Sequence, residues 1–528
     1  MSEEMYINRK IDITQRNIVI LSDITLEPFM KLTLLKYFGG EQKQKEFIFI
    51  PYEERMNNNN LHIFEQTELI VVWMSFEHLM YNIMIDSISG KKDNTQLIED
   101  LLEVCKQLFY EIESRSKAKI VWFLLDPMLN KCNYVVGNII TNNSLPERVN
   151  MCLYEFLDGK ATIIDLTKLI GQIGVDDAYD YKNHYRWNLP YSKKLIEIAS
   201  KEVFHQYQVY RGKRKKCLVL DCDNVLWGGI LSEDGTDKVK LGTMGNGKIF
   251  HDFQKHLLTL YYHGVILAIC SKNDMQDVKE MFEKHSGMII KDEHISCYQV
   301  NWNCKVENII EISEKLNIGL DSMVFIDDSI HEIDLVKKSL PEVMTILFEP
   351  NSIYEKLLCL NLLPVSDYKN IAARNNTYKT NVKRVDLKNQ VQSYDDYLST
   401  LATKVVIKPM VKTEIGRVVE LSQRTNRFTN GRRLTEMEMQ QIYADNSYVK
   451  YIVNITDKFG DMGLVGAIIL HNGFLELICL SCRVLGRNIE KNVFDYIKEH
   501  HKIESVYFYK TNKNQELEGI LKEVFEGE

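Results

Sequence analysis

"LVLDCDNVLWGGILSEDG" spans Leu218–Gly235, and its reading decides the fold. An apolar run from Cys217 to Leu220 ends on two acids, Asp221 and Asp223, with Trp227, Gly228 and Gly229 close behind. A short, fully apolar run bounded by polar residues reads as a buried strand of a parallel sheet. Outward from it, "VILAICS" (Val265–Ser271) and "SMVFIDD" (Ser322–Asp328) repeat the form. Between the first two, Ile249, Phe250, Phe253, Leu257 and Leu260 recur at helical spacing, and Gly264 stops that helix. Residues 214–365 therefore read as one α/β unit.

Three strand ends in this unit finish in a polar group: Asp221 with Asp223, then Ser271, then Asp327 with Asp328, while Lys305 lies between the last two. In open parallel sheets the carboxyl ends of the strands converge on one crevice, the usual ligand site. Carboxylates a few ångströms apart repel one another, so without a cation at least one holds a proton. A hard dication such as Mg²⁺ resolves this and suits an all-oxygen shell. Asp221 can then attack phosphorus to give an aspartyl-phosphate. Asp223, two residues on, can deliver or accept the leaving-group proton. Ser271 and Lys305 are placed to hold phosphoryl oxygens. Each acid alone reads equally well as an ordinary strand cap; the set on successive strand ends does not.

The rest of the chain divides around this unit. "NIVILSD" (Asn17–Asp23), "LIVVWMS" (Leu69–Ser75) and "KIVWFLLD" (Lys119–Asp126) alternate with helical patterns, so residues 1–205 read as an α/β layer domain. Residues 366–400 lose the strong apolar periods and read as a partly helical linker. Residues 401–528 carry long alternating strands, turn signals at Phe459–Gly463 and His471–Gly473, and a helix from about residue 488, an α+β module.

Bulk composition narrows the function. The 528-residue chain carries 65 Lys and Arg against 73 Asp and Glu, a net charge of −8 that does not draw it to nucleic acid or acidic lipid. The basic cluster Arg211–Lys216 reads as a solvated linker. No apolar stretch has the length of a signal core or a membrane span. Eleven scattered cysteines fit a reduced, cytoplasmic protein.

The acids, Ser271, Lys305 and the Asp327–Asp328 pair resemble the four motifs of the haloacid dehalogenase (HAD) superfamily. The wording "LDCDNVLWGGILSEDG", "LAICSKND", "NWNCKVENI" and "VFIDDSIHE" resembles its FkbH-like branch. Family members usually have Thr at Val225 and Asn at Ser329. The resemblance extends to the flanks: "LSDITLEPF" and "WNLPYS" resemble an SGNH-hydrolase-like part, and "TNRFTNGRRLTEMEM", "DKFGDMGLVG" and "SCRVLGRNIE" a GNAT-like part. It implies an α/β chain of three domains: a flavodoxin/SGNH-like α/β domain, a HAD Rossmann-like core with minimal cap, and a GNAT-like α+β domain. The N-terminal domain reads as degenerate, because Leu21 stands where Gly precedes the nucleophile and Asp180 and His184 are four apart rather than three.

The implied reaction takes a glyceryl group from 1,3-bisphosphoglycerate, loses the phosphate, and loads glyceryl as a thioester on the phosphopantetheine of an acyl carrier protein in polyketide-type metabolism. Asp221 would take phosphate and Asp223 serve as acid and base. The implied Mg²⁺ set is Asp221, Asp223 through its backbone carbonyl, and Asp327, with Asp328 beside them. Lys272 and Asn273 follow Ser271 as candidate substrate contacts. Cys270 is a candidate acyl acceptor, against the reading that strand alternation turns it away from Ser271. Arg483, Gly486 and Arg487 resemble a pyrophosphate loop for CoA or a carrier arm, against the reading of a structural turn. Trp227–Lys248 is short for a folded cap, which leaves the crevice open to a bulky substrate. Two alternatives stand: a HAD phosphatase of another small phosphate ester, and a non-catalytic carrier-docking scaffold.

Overall fold

In the computed structural model, the described residues are 17–39, 46–77, 94–116, 118–126, 145–358, 371–390, 393–511 and 513–526, with scattered positions between 78 and 93. The chain separates into two units, one of residues 12–208 and one that holds residues 209–528. No helix among the described residues is long and apolar enough to cross a membrane.

The first unit is built on a parallel sheet of β1 (Asn17–Ser22), β2 (Phe47–Pro51), β3 (Thr67–Trp73), β4 (Lys119–Phe123) and β5 (Thr162–Ile164), in the order β2-β1-β3-β4-β5. Both faces of β1 and β3 are buried, which is why their sequences are apolar throughout rather than alternating. Trp73 stacks on Phe123 at 4.3 Å between ring centres. At the carboxyl ends, Ser22 Oγ donates to the Trp73 carbonyl at 2.7 Å, and Asp23 accepts from Ser75 and Phe76. Asp180 caps its own helix through Asn183, and His184 faces Glu77 at 3.3 Å.

The second unit holds two sheets. The parallel one comprises β6 (Cys217–Leu220), β7 (Ile266–Ser271), β8 (Ile295–Val300), β9 (Met323–Asp327) and β10 (Met344–Leu347), in the order β10-β9-β6-β7-β8. The opening stretch thus forms the central strand. Helices Lys248–Tyr262, Met275–Lys284, Lys305–Leu316 and Ile330–Ser339 connect the strands. Strand side chains alternate between two apolar layers. Leu218 and Leu220 join Phe253, Leu257 and Met281, whereas Cys217 and Val219 join Ile309, Ile312 and Val336. Between Trp227 and Lys248 there is one helical turn, Leu231–Asp234, one 3-10 turn, Gly245–Gly247, and a bridge between Gly228 and Lys240.

The other sheet, antiparallel except for β16, is β11 (Lys404–Pro409), β12 (Phe428–Thr429), β13 (Tyr448–Asp457), β14 (Gly460–His471), β15 (Phe474–Leu480) and β16 (Ser505–Val506). Its order is β11-β13-β14-β15-β12, with β16 beside β15. Asn472 and Gly473 both take positive φ, the geometry a two-residue hairpin requires, which is why Asn-Gly stands there. The expected turn at Phe459–Gly463 falls earlier: Asp457 pairs with Gly460, and Gly460 opens the next strand.

Within 366–400, residues 371–390 form one packed helix rather than a free spacer. Its Tyr378 enters the same apolar layer as Cys270. Arg384 donates through two nitrogens to the buried carboxylate of Asp457, at 2.8 and 2.9 Å. The sequence reading of a partly helical linker holds a helix here, but its packing was obscure because it carries few apolar residues and its anchor is ionic.

Candidate active site

The strand ends bring four groups together. Asp221 follows β6, Ser271 ends β7, Asp327 ends β9, and Lys305 opens the helix after β8. Lys305 Nζ lies 3.1 Å from Asp221 Oδ2 and 2.5 Å from Asp327 Oδ2. All three are enclosed, with exposures of 3% for Lys305, 7% for Asp221 and 0% for Asp327. Burial alone would push Lys305 down, but the two carboxylates together hold it above its ordinary value. Burial raises the Asp221 carboxyl, and Lys305, Ser271 and the Cys222 amide oppose that rise. Burial and the Asp221 charge raise Asp327. One ammonium shared by two carboxylates leaves a net negative pocket, and burial, the largest cause for both acids, moves them the same way.

That excess has a chemical meaning. Asp221, Asp327 and Asp328 each offer an oxygen, and the three oxygens lie within 4.8 Å of one another. Asp221 Oδ1 is buried and makes no hydrogen bond, and a buried carboxylate oxygen without a partner is costly. An oxygen-only donor set with one unsatisfied buried oxygen fits a hard divalent cation.

Asp223 does something different from its neighbour. Its carboxylate lies outside that oxygen cluster, so the group it would offer an ion is the backbone carbonyl, as the resemblance implies. Asp223 Oδ1 accepts from Trp227 Nε1 at 2.8 Å and from the Leu231 amide at 3.1 Å, while Oδ2 accepts from Asn273 Nδ2 at 3.0 Å. The same Asn273 amide donates to Ser271 Oγ at 3.0 Å. Asn273 is therefore a bracket between Asp223 and Ser271. The "NVLWGG" wording explains itself here. Gly228 lets the Phe250 ring approach to where a Cβ would stand 2.6 Å away, and Gly229 has φ +107°, with its amide on Asn224 Oδ1. The turn aims Trp227 at Asp223.

Lys272 Nζ donates to Glu332 at 2.6 Å and is partly exposed at the mouth. Asn301, a residue that sequence reasoning passed over, ties the loop before Lys305 in place through Asn308 and Asn303. Two Asn flanking Trp302 just ahead of a site lysine was the available signal.

Cys270 is a correction. It is fully buried in the layer formed by Ile309, Ile312 and Phe325, on the side opposite Ser271, and burial pushes its thiol up to about 12. Neither access nor ionisation suits an acyl acceptor. Among the described cysteines, Cys304 is the exposed one. Iodoacetamide at pH 8 is therefore expected to label Cys304 in the folded protein at least tenfold faster than Cys270, read by peptide mass spectrometry. Equal rates would contradict this placement.

Arg483, Gly486 and Arg487 are likewise redirected. The Gly486 amide donates to Glu490 Oε1 at 2.7 Å and its carbonyl accepts from Tyr394. Arg487 donates to the Arg483 carbonyl at 2.8 Å and lies 3.6 Å from Asp457, and Arg483 turns toward Ser481. Both guanidiniums are buried. A loop whose glycine amide and arginines already have internal partners is a structural turn, which corrects the expectation of a phosphate cradle there.

No family model matches the chain, and no curated protein is similar to it. Among solved structures, it resembles the N-terminal part of the protein BF1531 from Bacteroides fragilis, which contains a phosphatase domain and was crystallised in complex with Mg. The two are 22% identical with a TM-score of 0.57, over 67% of this chain and 96% of that one. The likeness is one of fold.

Proposed function

We propose that this chain is a magnesium-dependent phosphotransferase of the HAD type, acting through an aspartyl-phosphate on Asp221. The observation that carries this is the buried Asp221–Lys305–Asp327 bridge with Asp221 Oδ1 left unpartnered. The Mg-complexed phosphatase-domain neighbour supports it. Asp221, Asp327 and Asp328 would hold the ion, which would offset their negative charge and screen a phosphate from the Asp221 carboxylate.

The chain's own groups carry the steps. An Asp221 oxygen bonds to phosphorus as the ester P–O bond breaks. The leaving oxygen takes a proton from Asp223, which Trp227, Leu231 and Asn273 hold in place. Water then attacks phosphorus, giving a proton to Asp223, while the P–O bond to Asp221 breaks; phosphate leaves and the Asp221 carboxylate is restored. Lys305 and Ser271 hold phosphoryl oxygens throughout.

The finer reading is of an FkbH-like protein with SGNH-like and GNAT-like flanks. It takes 1,3-bisphosphoglycerate and loads glyceryl on an acyl carrier protein. Because Cys270 is enclosed, the reading has the carrier thiol attack the acyl-phosphate carbon directly: the C–S bond forms, the C–O bond breaks, and the C1 phosphate leaves with the thiol proton. The 3-phosphate ester of the resulting thioester is then the substrate of the Asp221 step, which leaves the glyceryl unit on the carrier. The test is to incubate the protein with 1,3-bisphosphoglycerate, Mg²⁺ and a phosphopantetheinylated carrier, and to weigh the carrier intact. A glyceryl adduct supports loading. Free phosphate without an adduct leaves a phosphatase of small phosphate esters, and neither product rejects both.

A further inference from the structure

The two oxygens of Asp223 are not equivalent. Oδ1 accepts from Trp227 Nε1 at 2.8 Å and from the Leu231 amide at 3.1 Å. Both partners are N–H groups that only donate, and a carboxylate oxygen offers about two lone-pair positions. Oδ1 is therefore filled and has no room for a proton. Oδ2 accepts once, from Asn273 Nδ2 at 3.0 Å, and among the described residues nothing donates to its second lone pair. Asn273 is 2% exposed and presents the same nitrogen to Ser271 Oγ. Turned over, its oxygen would meet the carboxylate, so its sense is fixed.

The segment that carries Trp227 is held by its own backbone. The amides of Leu226 and Trp227 donate to the Cys222 carbonyl at 2.8 and 3.4 Å. Gly228 and Lys240 exchange hydrogen bonds in both directions, at 3.0 and 2.7 Å. The indole is fully buried and meets Phe282 edge-on, with ring centres 6.4 Å apart. A buried indole N–H ordinarily finds an acceptor. Here that acceptor is the carboxylate that serves the leaving group, and filling the core alone needs no N–H at this position.

We propose that Trp227 is a positioning residue for leaving-group protonation: by occupying Asp223 Oδ1 it puts the transferable proton on Oδ2, which equips the site for phosphate monoesters of aliphatic alcohols. As an Asp221 oxygen bonds to phosphorus, the ester P–O bond breaks and its electron pair stays on the alcohol oxygen. That oxygen takes the Oδ2 proton, the free alcohol leaves, and Asp223 remains as a carboxylate. An alkoxide is too basic to leave without a proton, whereas p-nitrophenolate leaves as the anion. The proposal rests on the phosphotransferase reading above and names the class of ester.

The test compares kcat/KM of the full chain with Mg²⁺ on glycerol 3-phosphate and on p-nitrophenyl phosphate. That ratio reports the steps up to departure of the alcohol, not the later attack of water. Trp227→Phe should lose about tenfold or more on glycerol 3-phosphate and stay within about twofold on the nitrophenyl ester. Replacing Trp227 with benzothienylalanine, which keeps the bicyclic shape and has no N–H, should give the same split if the smaller ring fails to fold. Phe282→Leu opens space beside the indole and keeps its N–H, so the ratio between the two esters should not change. Equal losses on both esters in the Trp227 variants, no loss on either, or a parent that cleaves only the nitrophenyl ester would overturn the proposal. Asp221→Asn on the nitrophenyl ester separates the two failures. Turnover equal to the parent's would sink the phosphotransferase reading too, and its loss would confine the failure to Trp227.

Discussion

Replacing Lys305 with methionine is expected to destabilise the fold by about 3–5 kcal/mol and to remove activity, because it strips the shared cation from two buried carboxylates. The side chain is 3% exposed and bridges Asp221 and Asp327, so water cannot take its place without opening the strand ends. Methionine matches the volume of the stem and leaves the charge as the difference. Chemical denaturation in the presence of a chelator reads the effect. The loss should depend on pH. Burial already raises both carboxyls above the ordinary range. A carboxyl whose pKa is raised in the folded state binds its proton more tightly there than in the unfolded chain, so protonation favours the fold and the benefit fades as pH rises. The deficit of the variant is therefore expected to be smaller near pH 5 than at pH 8. A change below about 1 kcal/mol at pH 8, the range of an exposed ion pair, would mean the bridge is not enclosed as described.

Asp221→Asn is the second large effect, on chemistry rather than stability. Phosphate release is expected to fall by about 10³-fold or more, since an amide neither attacks phosphorus nor shares charge with a cation. The fold should persist. Asparagine is nearly isosteric, and one fewer carboxylate beside Asp327 relieves repulsion that the chelated protein carries. Melting temperature without divalent ions should thus be equal or higher in the variant, while the rise that Mg²⁺ gives the parent should be lost. Residual turnover within tenfold of the parent, measured by phosphate release, would remove Asp221 as the nucleophile.

Much of this site was legible in the chain. The apolar runs that became β6, β7 and β9 are buried on both faces, so hydropathy alone marked them, and their polar terminal residues marked the crevice. β8, "ISCYQV", is interrupted by polar residues and lacked that signature. Side-chain direction was harder. Strand alternation placed Cys270 and Ser271 on opposite faces, and the structure follows that rule. The sequence had no means of saying that Asp223 would be held by an indole, a backbone amide and Asn273. The "RVLGRN" loop misled because its spacing matched a phosphate cradle, whereas Glu490, Asp457 and Tyr394, distant in sequence or on another element, fill the positions an anion would use.

The central claim is that Asp221 and Asp327 hold a divalent cation beside Lys305. Anomalous diffraction from crystals soaked in Mn²⁺ tests it most directly. A peak about 2.0–2.3 Å from carboxylate oxygens of both Asp221 and Asp327 is the predicted result. A manganese ion bound only elsewhere in the chain, in crystals whose dissolved protein is active with Mn²⁺, would contradict it.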